Sequence, residues 1–216
     1  MKKVGLIGWR GMVGSVLMQR IEEESDYKDI ELFFFSTSQA GQTCPKEYAK
    51  ASTLIDAFDI DALLKMDILL SCQGSDYTKK ILKPLRESGW NGHWIDAASE
   101  LRMNDDAVIV LDPINYKSIE KAFDKGVKNW VGGNCTVSLM LLAIQGLVTN
   151  EVVEWVSSMT YQAASGAGAE NMRELLQQMG QIHSSVEGKL NKKNINILDL
   201  DKEVQSAINS NNLSTN

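Results

Sequence analysis

The stretch KKVGLIGWRGMVGSVLMQRIEEE, Lys2 to Glu24, decides the fold. It opens on a short apolar run, Lys2 to Gly8, that reads as a buried strand closing at a glycine. From Met12 to about Glu24, the apolar residues Met12, Val13, Val16, Leu17, Met18 and Ile21 follow a helical period. Between the two lie Gly8, Gly11 and Gly14. A glycine turn of this kind lets backbone approach a pyrophosphate at a helix N-terminus, where free amides and the helix dipole favour anions. The spacing is G-x-x-G-x-x-G rather than G-x-G-x-x-G, because Arg10 stands in the place of the second glycine. The strand before and the helix after, which the motif requires, are both present. The competing reading is a turn whose glycines only seat a helix on a sheet.

Outward from this unit the alternation continues. IELFFFS (Ile30–Ser36) reads as a second strand, its unbroken apolar run suiting a strand covered on both faces. DILLSC (Asp67–Cys72), HWIDAA (His93–Ala98), AVIVLD (Ala107–Asp112) and KNWVG (Lys128–Gly132) read as further strands. SDYTKKILKPLRESG (Ser75–Gly89) reads as a helix capped by Ser75 and stopped by Gly89, with a kink at Pro84; Pro113–Gly126 reads as another. Strands alternating with helices predict an α/β fold, a Rossmann-like doubly wound parallel sheet with right-handed crossovers, over residues 1–133. Beyond residue 134 the texture changes. A helix from Thr136 to about Val148 precedes EVVEWVSSMTYQAAS (Glu151–Ser165), which alternates in places like an antiparallel strand. Ala169–Leu190 reads as a long amphipathic helix, and the polar tail Ser206–Asn216 as frayed.

Composition narrows the classes of function. With net charge −6 and no basic stripe, neither nucleic acid nor an anionic membrane is the expected partner. The longest apolar runs, such as Val137–Val148, are too short to span a bilayer, and the N-terminus shows no cleavable hydrophobic leader. Cys44, Cys72 and Cys135 are an odd count without metal-ligand spacing, which suits free thiols in a reducing cytoplasm and no metal site.

The second strand sharpens the cofactor. A site that prefers NAD carries Asp or Glu at this strand's end to bind the ribose hydroxyl. Here Ser36, Thr37 and Ser38 stand there, with cationic Arg10 on the neighbouring turn. Neutral donors beside a guanidinium favour a 2′-phosphate, hence NADP. Gln73, closing another strand, is a further candidate cofactor contact, and Cys72 reads as structural. WVGGNCTVSLM (Trp130–Met140) leads two glycines and Asn134 into Cys135 at a helix start. A buried cysteine filler is one reading. The other is a nucleophile, since a helix N-terminus favours thiolate and its exposed amides stabilise developing oxyanions.

Taken in order, GWRGMVGS, FFSTSQ, the CQG and DYT pieces, LRESGW, WIDAAS, LRM, GGNCTVSLM and YQAASG resemble the N-terminal part of aspartate-semialdehyde dehydrogenases, particularly the enterobacterial type. The resemblance covers nearly all of the chain except its last ten or so residues. It implies NADP-dependent, reversible reductive dephosphorylation of L-aspartyl 4-phosphate to the semialdehyde, on the route to lysine, methionine and threonine. Carried onto this sequence, it makes Cys135 the nucleophile that forms an acyl-thioester and Gln162 a substrate-orienting residue. Arg102 and Asn134 would bind phosphate. Gly8, Arg10, Gly11, Met12, Val13, Gly14, Thr37, Ser38, Gln73, Ser165 and Gly166 would line the NADP site.

The resemblance further implies that 134–216 is the first portion of an α+β catalytic and dimerisation domain, in a family that is homodimeric. The chain is then expected to be an N-terminal fragment of a longer protein, nearly inactive alone, because neither His93 nor His183 matches the family's catalytic histidine. Both histidines are expected to be structural. Two other readings stand beside this one: a related N-acetyl-glutamyl-phosphate reductase, and a non-catalytic NADP-binding module.

Overall fold

The computed structural model describes residues 1–192, 194–210 and 213. They form two compact units, Met1–Thr160 and Tyr161–Asn216.

The first unit is built on a seven-stranded sheet in which every pairing is parallel: β1 (Lys2–Ile7), β2 (Ile30–Ser36), β3 (Ile55–Asp56), β4 (Ile68–Ser71), β5 (His93–Asp96), β6 (Ala107–Val110) and β7 (Asn129–Gly132). Their order is β3-β2-β1-β4-β5-β7-β6. The chain winds outward from β1 in one direction and from β4 in the other. That reversal opens a crevice at the carboxyl ends of β1 and β4, where ligands bind in such sheets.

Alternation along the strands divides the core between two faces. Val4, Leu6, Leu32 and Phe34 pack beneath Met18 and Ile21 of α1 (Met12–Glu24). On the opposite face Ile7, Phe35, Leu69, Trp94 and Val131 pack against α2 (Ile60–Leu63) and α3 (Ser75–Glu87) through Leu63, Tyr77, Ile81 and Leu85. Each such fully buried aliphatic or phenyl side chain contributes ~1.5–3 kcal/mol relative to exposure. Buried polar tips find partners: the Trp90 indole donates to the Met66 carbonyl and the Tyr77 hydroxyl to that of Ala57, both at 2.6 Å. α4 (Asp112–Asp124) and α5 (Cys135–Thr149) complete this unit.

Three sequence expectations need correction. Ser75 does not cap α3: it is the first helical residue, and the cap is Gly74, whose φ of +103° is open to glycine but strained for serine. Gly89, at φ +91°, does stop that helix, which runs on through Pro84. Glu151–Ser165 forms no strand among the described residues, and its alternating apolar side chains are open to solvent, Trp155 at 77% and Tyr161 at 98%. A strand exists only where a neighbour takes its amides and carbonyls, and none lies alongside among the described residues. The tail is helical further than expected, because α7 (Ile197–Ile208) starts at Asn196, whose side chain accepts from the Leu198 amide, and half-buries Leu200, Val204 and Ala207 on one stripe. The tail's residues 211, 212 and 214–216 lie outside the described residues. In the second unit α7 pairs with α6 (Ala169–Leu190), joined by the ion pair of Lys189 and Glu203.

Candidate active site

The three glycines of the first turn have different physical reasons. Gly8 holds φ +75°, and a Cβ there would come within 2.6–2.7 Å of the Cys72 and Gln73 backbone. Gly14 is buried under the turn: a Cβ would stand 2.3 Å from the Gly8 carbonyl oxygen. These two glycines let β1, β4 and α1 close on one another. Gly11 caps α1 in extended backbone at φ −70°, ψ 171°, and a Cβ there would meet only the Gly8 oxygen at an ordinary 3.5 Å. Among the described residues nothing demands glycine at position 11. What it keeps clear is the approach to the helix N-terminus from outside, as a pyrophosphate site requires.

Beside this turn lies a cavity of about 340 Å³, lined by Gly8, Arg10, Gly11, Thr37, Ser38 and Gln73 among others. Six of the residues expected to hold the cofactor are therefore brought together. The turn after β2 is pinned by buried Ser36, whose hydroxyl oxygen accepts from the Gln39 amide at 3.0 Å and the Ser38 amide at 3.4 Å. Arg10 stacks its guanidinium over Trp9, 5.7 Å from the ring centroid, and donates to the Ser38 hydroxyl at 3.2 Å. A cation and hydroxyls meet where an acid would otherwise select an unphosphorylated ribose. Met12 and Val13, 57% and 55% exposed, present apolar side chains in the first turn of α1. Val13 reaches a second, larger groove of about 1100 Å³ that Cys72, Asp96, Ala97 and Gly132 also line.

Three strand spacings, roughly 14 Å, separate the end of β1 from the end of β7. At the β7 end the chain turns through Gly133 and Asn134 into α5. Asn134 caps that helix, its side-chain oxygen accepting from the Val137 amide at 3.0 Å, as the sequence suggested. Cys135 is the first helical residue and is exposed, its Sγ 3.9 Å from the Thr136 hydroxyl. It is no buried filler. Cys72, in contrast, is half-buried, and burial followed by the Asp96 carboxylate pushes its thiol up to about 11.

Arg102 is fixed against this same turn. Its Nε donates to the Gly132 carbonyl at 2.8 Å, and its Nη2 to those of Gly133 at 3.2 Å and Ala97 at 3.4 Å. Of the five guanidinium hydrogens, the pair on Nη1 has no such acceptor among the described residues, which leaves one edge of the fork for an anion.

Gln162, Ser165 and Gly166 belong to the second unit. They sit at a short 3-10 turn, Ala164–Ala167, where the Gln162 side-chain amide folds over Gly166 so closely that a Cβ there would be 2.6 Å from its Nε2. His93 begins β5, at the amino ends of the parallel strands and away from the glycine turn at their carboxyl ends, and its Nδ1 accepts from the Trp130 indole at 2.9 Å. His183 lies on α6. Among the described residues no cluster of acidic, cysteine or histidine side chains is arranged for a metal ion, and no helix is long and apolar enough to cross a membrane.

Sequence reasoning passed over Asp96 and Thr78. Asp96, 1% exposed at the end of β5, accepts from the Thr78 hydroxyl at 2.6 Å, the Trp94 indole at 3.1 Å and the Ala98 amide at 2.8 Å. The available signal was an acid inside an otherwise apolar strand end, WIDAA.

Residues 3–122 match the family described as semialdehyde dehydrogenase, NAD binding domain, and residues 144–213 match semialdehyde dehydrogenase, dimerisation domain. Among solved structures, aspartate semialdehyde dehydrogenase from Francisella tularensis is 53% identical, with a TM-score of 0.87 over 95% of this chain and 55% of that one. Aspartate semialdehyde dehydrogenase II from Vibrio cholerae, at 23% identity, TM-score 0.69 and coverage of 90% and 55%, shares the fold. The chain thus spans about half the length of the solved structures it matches. With its glycine turn, parallel sheet and both family regions in order, the chain belongs to the semialdehyde dehydrogenase family.

Proposed function

We propose that this chain carries the NADP site and the nucleophile of an aspartate-semialdehyde dehydrogenase, which interconverts L-aspartyl 4-phosphate and L-aspartate 4-semialdehyde. The observation that carries this reading is Cys135, exposed at the capped N-terminus of α5 and preceded by a turn that Arg102 clasps. The Francisella tularensis relative, at 53% identity, points to the same substrate.

In the biosynthetic direction the Cys135 thiolate attacks the acyl carbon of the acyl phosphate, and the carbon–oxygen bond to phosphate breaks. The departing phosphate is held by the free edge of Arg102 and the side-chain amide of Asn134. Amides at the start of α5 face the oxygen on which negative charge develops. Gln162 orients the substrate. Arg10, Thr37 and Ser38 hold the 2′-phosphate of NADP, and Gly8, Gly11, Met12, Val13, Gln73, Ser165 and Gly166 are the remaining residues read as cofactor contacts. Gly14 serves the site by closing the turn. NADPH, when bound, supplies the hydride that takes the acyl-thioester to the aldehyde.

In this reading residues 1–133 are the cofactor domain and 134–216 belong to the catalytic and dimerisation domain. The partner is a second copy, and three unpaired cysteines suit the cytoplasm. Exposing the chain to aspartyl phosphate and locating the adduct by mass spectrometry tests it. An aspartyl thioester on Cys135, with little acylation from N-acetyl-glutamyl phosphate, is expected. Absence of the adduct, or its formation on another residue, contradicts the reading.

A further inference from the structure

We propose that Asp96 is a positioning residue for the nucleophile turn, acting through Arg102; the inference rests on Cys135 being the nucleophile. Asp96 is a buried carboxylate, and among the described residues no cation pairs with it. A carboxylate in that setting is costly unless its oxygens are filled by donors. Here three neutral donors fill them: the Thr78 hydroxyl and Trp94 indole on Oδ2, and the Ala98 amide on Oδ1.

The arrangement uses both oxygens as acceptors, which an amide side chain cannot imitate. Asparagine would turn its NH₂ either toward the Trp94 indole or toward the Ala98 amide, each a donor only. The bond to Ala98 fixes the turn that leaves β5, and the Ala97 carbonyl in that turn is one of the three that seat the Arg102 guanidinium. The other two belong to Gly132 and Gly133, immediately before Asn134 and Cys135. The relay therefore runs from Thr78 on α3 through Asp96 at the end of β5 to Arg102, and ends at the loop that presents the thiol. Strands β5 and β7 are paired at this level, Asp96 opposite Val131, so the two turns lie side by side. Neither Thr78 nor Asp96 is among the residues assigned to cofactor or substrate. Its effect is on where the Arg102 fork stands.

The test compares Asp96→Asn, Thr78→Val and Thr78→Ser with the parent in the full chain. It reads the rate of Cys135 alkylation by iodoacetamide, the concentration of inorganic phosphate that halves that rate, and thermal stability. Asp96→Asn and Thr78→Val are expected to raise the half-protecting phosphate concentration by about tenfold, the equivalent of one lost charge-assisted hydrogen bond. Thr78→Ser, which keeps the hydroxyl, is expected to match the parent. If Asp96→Asn does not fold, the valine and serine variants at position 78 decide alone. Variants that melt earlier yet keep the parent's phosphate protection show a purely structural role and overturn the inference. A parent in which phosphate gives Cys135 no protection defeats the nucleophile reading itself, and this inference with it.

Discussion

Arg102 Nε donates to the carbonyl oxygen of Gly132 at 2.8 Å, joining the loop after β5 to the turn that leads into Cys135. A side chain expected only to greet phosphate thus also holds the backbone that presents the thiol. Replacing it with alanine orphans carbonyls in a half-buried turn and is expected to cost ~1–3 kcal/mol. Lysine restores charge but not the planar fork, so Arg102→Lys should recover little of the loss. Urea unfolding of the two variants beside the parent measures it.

The glycines of the first turn separate folding from binding. Gly14→Ala drives a methyl into the Gly8 carbonyl, and overpacking of this kind costs ~1–3 kcal/mol or more. Gly11→Ala meets no such wall and should stay within ~0.5 kcal/mol of the parent. Its methyl stands instead where the pyrophosphate approaches the helix, so NADPH affinity should fall by about tenfold or more. Melting curves and NADPH fluorescence titration report the two effects independently.

Cofactor choice is expected to rest on the contact of Arg10 with Ser38, 3.2 Å apart at the lip of the cavity. Arg10→Ala removes a charged partner of the 2′-phosphate, worth ~1.5–3 kcal/mol, and should weaken NADPH binding by about tenfold or more while leaving NADH nearly unchanged. Equal losses for both nucleotides would show that Arg10 does not read the 2′-phosphate.

His93 gives the protein an acid-sensitive element. Burial first, and then the charges of Lys128, Arg86 and Lys2, hold its pKa below the ordinary value. Its Nδ1 already accepts from Trp130, and Phe123 stacks on the ring with centroids 5.8 Å apart. Protonation then favours the unfolded chain, so this contribution is intact above the unfolded value of about 6.5 and is lost as pH falls below it. His93→Asn cannot take up the proton and should show a smaller fall in melting temperature between neutral pH and pH 5 than the parent. An unchanged slope would exclude His93 as the cause.

Much of this fold was legible because its signals are local. Apolar runs ending at Gly8 and Cys72, the helical period of α1, and Asn134 ahead of Cys135 each carry their reason within a few residues. β3 and α2, two and four residues long, are too short to repeat the period that would reveal them. Glu151–Ser165 misled because alternation records what a strand would bury, not whether a neighbouring strand is there to bury it. The candidate cofactor residues that share a cavity were readable as residue types at strand ends. The Thr78–Asp96–Arg102 relay was not, since it exists only once α3, β5 and the turn after β7 meet. Their partners lie 18 and 30 residues apart along the chain.

The most direct measurement is the rate at which iodoacetamide labels Cys135, Cys44 and Cys72 at neutral pH, resolved by peptide mass spectrometry, with and without NADPH. Cys72, its thiol raised to about 11 by burial and the Asp96 carboxylate, stays protonated at pH 7. Cys135 stands exposed at a helix start and should react first by a wide margin, with bound NADPH slowing it and leaving Cys44 unaffected. Three equally sluggish cysteines, indifferent to NADPH, would contradict a nucleophile beside the nucleotide site.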